Sequence, residues 1–146
     1  GAKDKTESFD MSKLVKKIID KYENPQIQKN LIPEIYFNGR KNMIQRCINN
    51  LIDNSLKYAE KILINLEKYD SNIILSIDDD GPGIPKSEYQ NIVKPFYKID
   101  KRRSESKSSV GLGLAISSDI IKSHGGDIKF DKSKMGGLKV IISLPF

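Results

Sequence analysis

Two glycine clusters constrain this chain more than any other feature. The first, Asp78-Asp79-Asp80-Gly81-Pro82-Gly83-Ile84-Pro85, places carboxylates at the end of an apolar run and then turns the backbone sharply. The second, Gly111-Leu112-Gly113-Leu114-Ala115-Ile116, opens an apolar periodic stretch and brings bare backbone N–H groups to the start of a helix. A carboxylate that can accept from an exocyclic amine, with a glycine-rich helix start that can cradle phosphates, is the minimum kit for holding a purine nucleotide. Neither cluster has the spacing of a G-x-G-x-x-G turn or of a G-x-x-x-x-G-K-[ST] loop. A nucleotide site here must be of another design.

The 146 residues suit one domain with a real core, and 38% hydrophobic with 30% charged residues fit a globular protein in water. Apolar runs such as Val140-Ile141-Ile142 are far too short to cross a bilayer, and the polar N-terminus has no signal-peptide pattern. Gly1-Ala2 ahead of Lys3 reads as a cloning remnant, so residues 1–7 are expected to be a tag remnant or linker and 8–146 the domain. The single Cys47 excludes an internal disulfide and reads as a small core residue, and the lone His124 argues against a histidine-rich metal site. A net charge of +6 suits nucleic acid, an acidic protein surface or a polyphosphate equally. The interleaved aromatics or groove-reading helix expected of a nucleic-acid binder are not evident.

Apolar spacing predicts a helix over Asp10 to Tyr22, capped by Asp10 or Ser12 and ended by Asn24-Pro25. A short extended piece around Ile35-Tyr36-Phe37 is closed by an Asn38-Gly39 turn, and the clearest helix runs from Lys41 to Tyr58. Strands over Lys61 to Tyr69 and Asn72 to Asp78 form a hairpin around Asp70-Ser71. Lys86 to Val93 is expected as a short helix. Residues 101–109 lack any large apolar side chain, as a functional loop or lid would, and the lid is set at about 94–110. A helix from Gly111 to Ser123 is stopped by His124-Gly125-Gly126, and strands Asp127 to Asp131 and Leu138 to Leu144 pair across Lys134-Met135-Gly136-Gly137. Adjacent hairpins favour an α+β, two-layer α/β sandwich, with a mixed sheet covered on one face by three helices.

The central helix carries a second informative pattern. Asn50, Asn54 and Lys57 lie at i, i+4 and i+7, so one stripe presents two amides and an ammonium. Asn is a mediocre helix former, and Asn49-Asn50 in succession calls for a local reason. An amide carbonyl is an oxygen donor of the kind Mg²⁺ takes while sharing itself with phosphates.

With these residues in view, the chain resembles the catalytic, ATP-binding domain of sensor histidine kinases. Asn50 to Tyr58 looks like the family's N box, Asp79 to Pro85 like its first glycine box, Lys94-Pro95-Phe96-Tyr97-Lys98 like its F box and Gly111 to Ile116 like its second glycine box. His124-Gly125-Gly126-Asp127-Ile128, Gly136-Gly137 and Leu144-Pro145 match the usual tail. Four motifs in order, from about Ser8 onward, make the signal specific. Arg40-Lys41-Asn42 is similar to the osmosensor-type enzymes.

The resemblance implies the GHKL, or Bergerat, ATP-binding fold, with ATP and Mg²⁺ as ligands. Asp79 would accept from the adenine amino group; Gly81 and Gly83 would let the backbone pass close to the base, with Ile84 packed on it. Tyr58 would lie against base or ribose. Asn54, with Asn50 beside it, would ligate Mg²⁺, and Lys57 would meet a phosphate. Val110, Gly111, Leu112, Gly113 and Leu114 would line the phosphates at the helix start. Arg103, with Lys98 and Arg102, would reach the γ-phosphate from the lid. Asp78 and Asp80 read instead as structural or solvent-facing, Phe96 as a lid anchor, and His124 as a capping or packing group.

The implied partners are a helical phosphoacceptor domain of the same kinase, expected before residue 1, and a response regulator, with no nucleic acid and no membrane contact by this domain. The parent is expected to be a homodimeric inner-membrane sensor, leaving this domain cytoplasmic. No His-Glu-x-x-x-Pro type box is present, so this piece would bind ATP without completing autophosphorylation. Fold relatives that hydrolyse ATP carry a Glu where this chain has Asn50. Ser109 stands where the second glycine box usually opens with a further glycine. The alternatives are an anti-sigma-type protein-serine kinase or another GHKL ATPase, and a non-catalytic nucleic-acid or scaffold module.

Overall fold

The computed structural model describes residues 5–95, 97 and 110–146; for 110–113 it describes the backbone alone. In order, the elements are β1 (Thr6–Asp10), α1 (Met11–Tyr22), β2 (Ile27–Leu31), β3 (Tyr36–Arg40), α2 (Lys41–Tyr58), β4 (Ile62–Tyr69), β5 (Asn72–Asp79), α3 (Val110–Ser123), β6 (Asp127–Lys132) and β7 (Leu138–Pro145). The main sheet has the order β2-β4-β5-β7-β6, with β2 parallel to β4 and the other pairs antiparallel. It is the mixed sheet expected from the hairpin pattern.

Alternation decides which face of that sheet is dry. Ile62, Ile64 and Leu66 of β4, Ile73, Leu75 and Ile77 of β5 and Val140, Ile142 and Leu144 of β7 are all buried in one core. The helices lay their apolar stripes on that core: Leu14, Val15, Ile18 and Ile19 from α1, Ile44, Ile48, Leu51 and Ile52 from α2, and Ile120 and Ile121 from α3. Asp10 caps α1, its side chain accepting from the N–H groups of Ser12 (2.9 Å) and Lys13 (3.3 Å).

The helices α2 and α3 run antiparallel, and two contacts fix their register. At one end, Nε2 of His124 accepts from the Arg40 N–H at 3.0 Å, and the Arg40 guanidinium donates to Ser123 Oγ at 2.9 Å. In the middle, Cys47 Sγ donates to the Ser117 carbonyl (3.7 Å) and Ser117 Oγ to the Cys47 carbonyl (3.3 Å). Continuing that register brings the second half of α2, with Asn50 and Asn54, level with the glycine-rich start of α3. His124 is thus a capping and packing group, and Cys47 a core residue whose thiol burial pushes up to about 12.

Four local expectations are corrected. Asn38 and Gly39 do not turn; they lie in β3, paired with Ser8 and Glu7, because β1 supplies a partner strand. Thr6 and Glu7 of that strand fall within the expected linker 1–7, which exposed residues with a single buried Phe9 in β1 left without an apolar pattern. The strand β2 was not expected: its Gln28, Lys29 and Asn30 are exposed at the sheet edge, so alternation is absent. Finally, Lys86 to Val93 forms no α-helix; a single 3₁₀ turn, Lys86–Glu88, passes into further turns. So short a segment is marginal as a helix, and burial of Ile92 with the Tyr89–Phe130 ring contact at 6.1 Å holds it in turns.

Candidate functional site

At the end of β5, successive aspartates do different work because side chains alternate across a strand. Asp79 follows Ile73, Leu75 and Ile77 on the helix-covered face and is only 5% exposed. Its Oδ1 accepts from the N–H of Gly81 at 2.9 Å and from the N–H of Leu138 at 3.0 Å. Asp78, on the opposite face, is also buried and accepts from Ser133 Oγ at 2.7 Å. Asp80 turns back toward α2: its Oδ1 accepts from the N–H groups of Glu60 and Lys61, both at 2.9 Å. The Lys61 N–H bond foremost holds the Asp80 carboxyl below its ordinary value, with the Glu60 bond adding to it. Asp78 and Asp80 are therefore structural, as expected.

The first glycine turn closes against the end of α2. A Cβ on Gly81 would lie 3.0 Å from the Tyr58 carbonyl oxygen, so the turn and the last residue of α2 are in contact. Gly83 holds a left-handed φ of 73°, and Ile84 folds back into the core. Tyr58 is half-buried against that core and Lys57 is exposed beside it. Asn50 and Asn54 are half-buried on α2, and no hydrogen bond is made by either amide among the described residues. Their neighbour Asn49 faces away toward α1, where its Oδ1 and carbonyl accept from the Tyr22 hydroxyl at 3.4 and 3.3 Å. Asp53 takes the shorter bond from that hydroxyl, at 2.7 Å. The adjacent asparagines thus serve two different faces.

The helix α3 begins at Val110, and the backbone of Gly111, Leu112 and Gly113 forms its first turn; Leu114 is buried. The first N–H groups of a helix have no intrahelical partner and favour anions. Lys98, Arg102, Arg103, Phe96 and Ser109 lie outside the described residues. Tyr97, from the same motif as Lys98, donates its hydroxyl to the Glu88 carboxylate.

Sequence reasoning missed the second wall of this corner. Gly137, read as part of a hairpin turn and of the family's usual tail but given no place in the site, donates its N–H to the Asp79 carbonyl at 2.9 Å. A Cβ there would overlap Asp79 Oδ1 and lie 2.6 Å from the Gly81 nitrogen. The signal was present in the double glycine: only Gly136 has a positive φ, at 106°, so the turn itself does not demand a second glycine.

The two amides fit Mg²⁺ by chemistry, since both offer neutral oxygens on one stripe. Among the described residues no cluster of His, Cys, Asp or Glu could hold a metal, and no helix is long and apolar enough to cross a membrane.

A family model described as histidine kinase-, DNA gyrase B- and HSP90-like ATPase matches residues 39–146. The chain is 37% identical over 107 residues to sensor histidine kinase GtrS of Pseudomonas aeruginosa, a match covering 73% of this chain and 22% of that protein. It is 31% identical over 140 residues to sensor histidine kinase WalK of Bacillus subtilis, covering 88% and 23%. The chain thus spans about a quarter of the length of these relatives. Among solved structures, the mycobacterial sensor histidine kinase MprB superposes with a TM-score of 0.80 at 25% identity, covering 97% of each chain. The ATP-binding domain of PrrB from Mycobacterium tuberculosis gives 0.77 at 22% identity, covering 97% and 98%, a likeness of fold.

Proposed function

The chain belongs to the histidine kinase-, DNA gyrase B- and HSP90-like ATPases, and from that premise we propose that it is the Mg-ATP-binding catalytic domain of a two-component sensor histidine kinase. The observation that carries this reading is the buried Asp79 carboxylate, oriented by two backbone N–H groups at the meeting point of α2, the first glycine turn and the β6–β7 turn. A carboxylate accepts from the adenine 6-amino group and has no donor for the guanine 6-oxygen, so it selects adenine. Gly81 and Gly83 leave room for the base, Ile84 packs on it, and Tyr58 lies against base or ribose.

From there the triphosphate runs along the Asn stripe toward the start of α3. Asn54 and Asn50 would hold Mg²⁺, which when bound neutralises charge on the phosphates. Lys57 meets a phosphate as a point charge. The N–H groups of Gly111, Leu112 and Gly113, with Val110 and Leu114 flanking them, receive the phosphate oxygens at the positive end of the helix. Arg103, Lys98 and Arg102 supply positive charge to the γ-phosphate from the segment before α3.

The side chain at position 50 bears on the acceptor. The amide of Asn50 cannot take a proton, so water has no general base at that position. A neutral imidazole is already nucleophilic and attacks the γ-phosphate without one. In this reading the acceptor is a histidine on a helical domain of the same parent, a homodimeric sensor of the inner membrane, which passes the phosphoryl group to a response regulator.

Phosphotransfer from radiolabelled ATP tests the reading. Label should reach a histidine-bearing helical domain supplied separately, while the isolated chain turns ATP over very slowly. Label on a serine-bearing partner instead, or rapid steady-state hydrolysis by the pure chain, would contradict it.

A further inference from the structure

The β6–β7 turn is tied to Asp79 by two N–H groups, and a second anchor holds the turn from the other face of the sheet. That anchor is Ser133. Its hydroxyl donates to Asp78 Oδ1 at 2.7 Å and accepts from the Met135 N–H at 3.0 Å. Its own N–H donates to the Gly137 carbonyl at 2.9 Å, and its carbonyl accepts from Gly136 at 3.0 Å. The side chain is 8% exposed, as is that of Asp78, across a sequence separation of 55 residues. Four bonds from one small residue therefore close the turn on itself and pin it to β5. Directly beyond them, Gly137 and Leu138 deliver their N–H groups to the carbonyl and carboxylate of Asp79.

The alternation of β5 links the two faces. Asp79 points to the nucleotide corner and Asp78 to the other side of the sheet, so one strand end carries a recognition carboxylate and its anchor back to back. A buried carboxylate that loses its hydroxyl donor either draws in water or shifts to find another partner. Either response moves the turn, and with it the two N–H groups that orient Asp79.

We infer that Ser133 and Asp78 are positioning residues for adenine recognition: together they hold the β6–β7 turn against Asp79 and so fix the direction of its carboxylate. The inference rests on the ATP-binding reading above. Neither residue touches nucleotide in this account.

The test compares ATP affinity and backbone amide exchange in the unmodified chain, Ser133→Ala, Ser133→Thr and Asp78→Asn, each at a temperature where circular dichroism shows it folded. Ser133→Ala should bind ATP about fivefold to tenfold more weakly and exchange the Leu138 and Gly137 amides faster. Ser133→Thr keeps the hydroxyl and Asp78→Asn keeps an acceptor oxygen, so both should stay within about twofold of the unmodified chain. Folded Ser133→Ala with unchanged ATP affinity would overturn the inference while leaving the ATP site standing. So would loss of affinity in Ser133→Thr as large as in Ser133→Ala, since that marks packing rather than the hydroxyl. Should Ser133→Ala not fold, the unmodified chain decides: saturating ATP should slow exchange at Leu138 and Gly137, and unaltered exchange there would overturn the proposal. An unmodified chain that does not bind ATP would overturn the functional reading and this inference with it.

Discussion

The Leu138 N–H donates to the carboxylate of Asp79 at 3.0 Å across 59 residues of sequence, and Gly137 is the residue that lets it come so close. An added Cβ at Gly137 would sit 2.6 Å from the Gly81 nitrogen and 2.7 Å from the Asp79 carbonyl oxygen, both backbone atoms that cannot rotate away. Gly137→Ala should therefore destabilise the fold by about 1–3 kcal/mol and weaken ATP binding together. Gly136→Ala is the control. Its φ of 106° makes the substitution strained, about 1–3 kcal/mol, but no atom lies within 4 Å of the added methyl. Denaturant unfolding and ATP titration of both variants should show two destabilised proteins, of which only Gly137→Ala binds ATP poorly.

Acid should reveal the second tie between β5 and α2. Bonds from the Lys61 and Glu60 N–H groups lower the pKa of Asp80 in the folded chain. A carboxylate lowered in this way contributes stability above its unfolded value of about 3.9, and that contribution fades as pH falls through the folded value. The stability gap between the unmodified chain and Asp80→Asn should accordingly be widest near neutrality and close below about pH 4. A gap that stays constant from pH 7 to pH 3 in chemical denaturation would contradict the assignment.

Cys47 should report opening of the α2–α3 pair. The thiol is fully buried, and that burial pushes it up to about 12 against the opposing Ser117 bond. At pH 8 almost none is thiolate, and access is blocked besides. Alkylation should follow the opening of the helix pair, rising steeply in denaturant and staying slow in the native chain. Fast labelling without denaturant would mean that α2 and α3 part readily.

Strong local signals made the central elements legible. The apolar face of Met43 to Leu56 and the alternation of Ile62, Ile64, Leu66, Ile73, Leu75 and Ile77 set α2, β4 and β5 almost to the residue. The strands β1 and β2 were not legible because their identity comes from partners, not from burial: β1 exposes Thr6, Glu7 and Ser8, and β2 lies at an edge. The same division runs through the site. Asp79, Gly81 and Gly83 share one short motif and announce themselves. Gly137 leaves a trace in the doubled glycine, but Ser133 and Leu138 meet Asp78 and Asp79 only after the sheet has formed, and a contact spanning 59 residues leaves no local pattern to read.

The central claim is that Asp79 recognises adenine, and titration calorimetry of the unmodified chain and of Asp79→Asn with Mg-ATP tests it most directly. The substitution keeps an oxygen for the Gly81 and Leu138 N–H groups but removes the charge and adds a donor. The account predicts binding by the unmodified chain and a loss of about tenfold to a hundredfold in Asp79→Asn, the scale of one hydrogen bond to a charged acceptor. Equal affinity of the two folded proteins for ATP would contradict it.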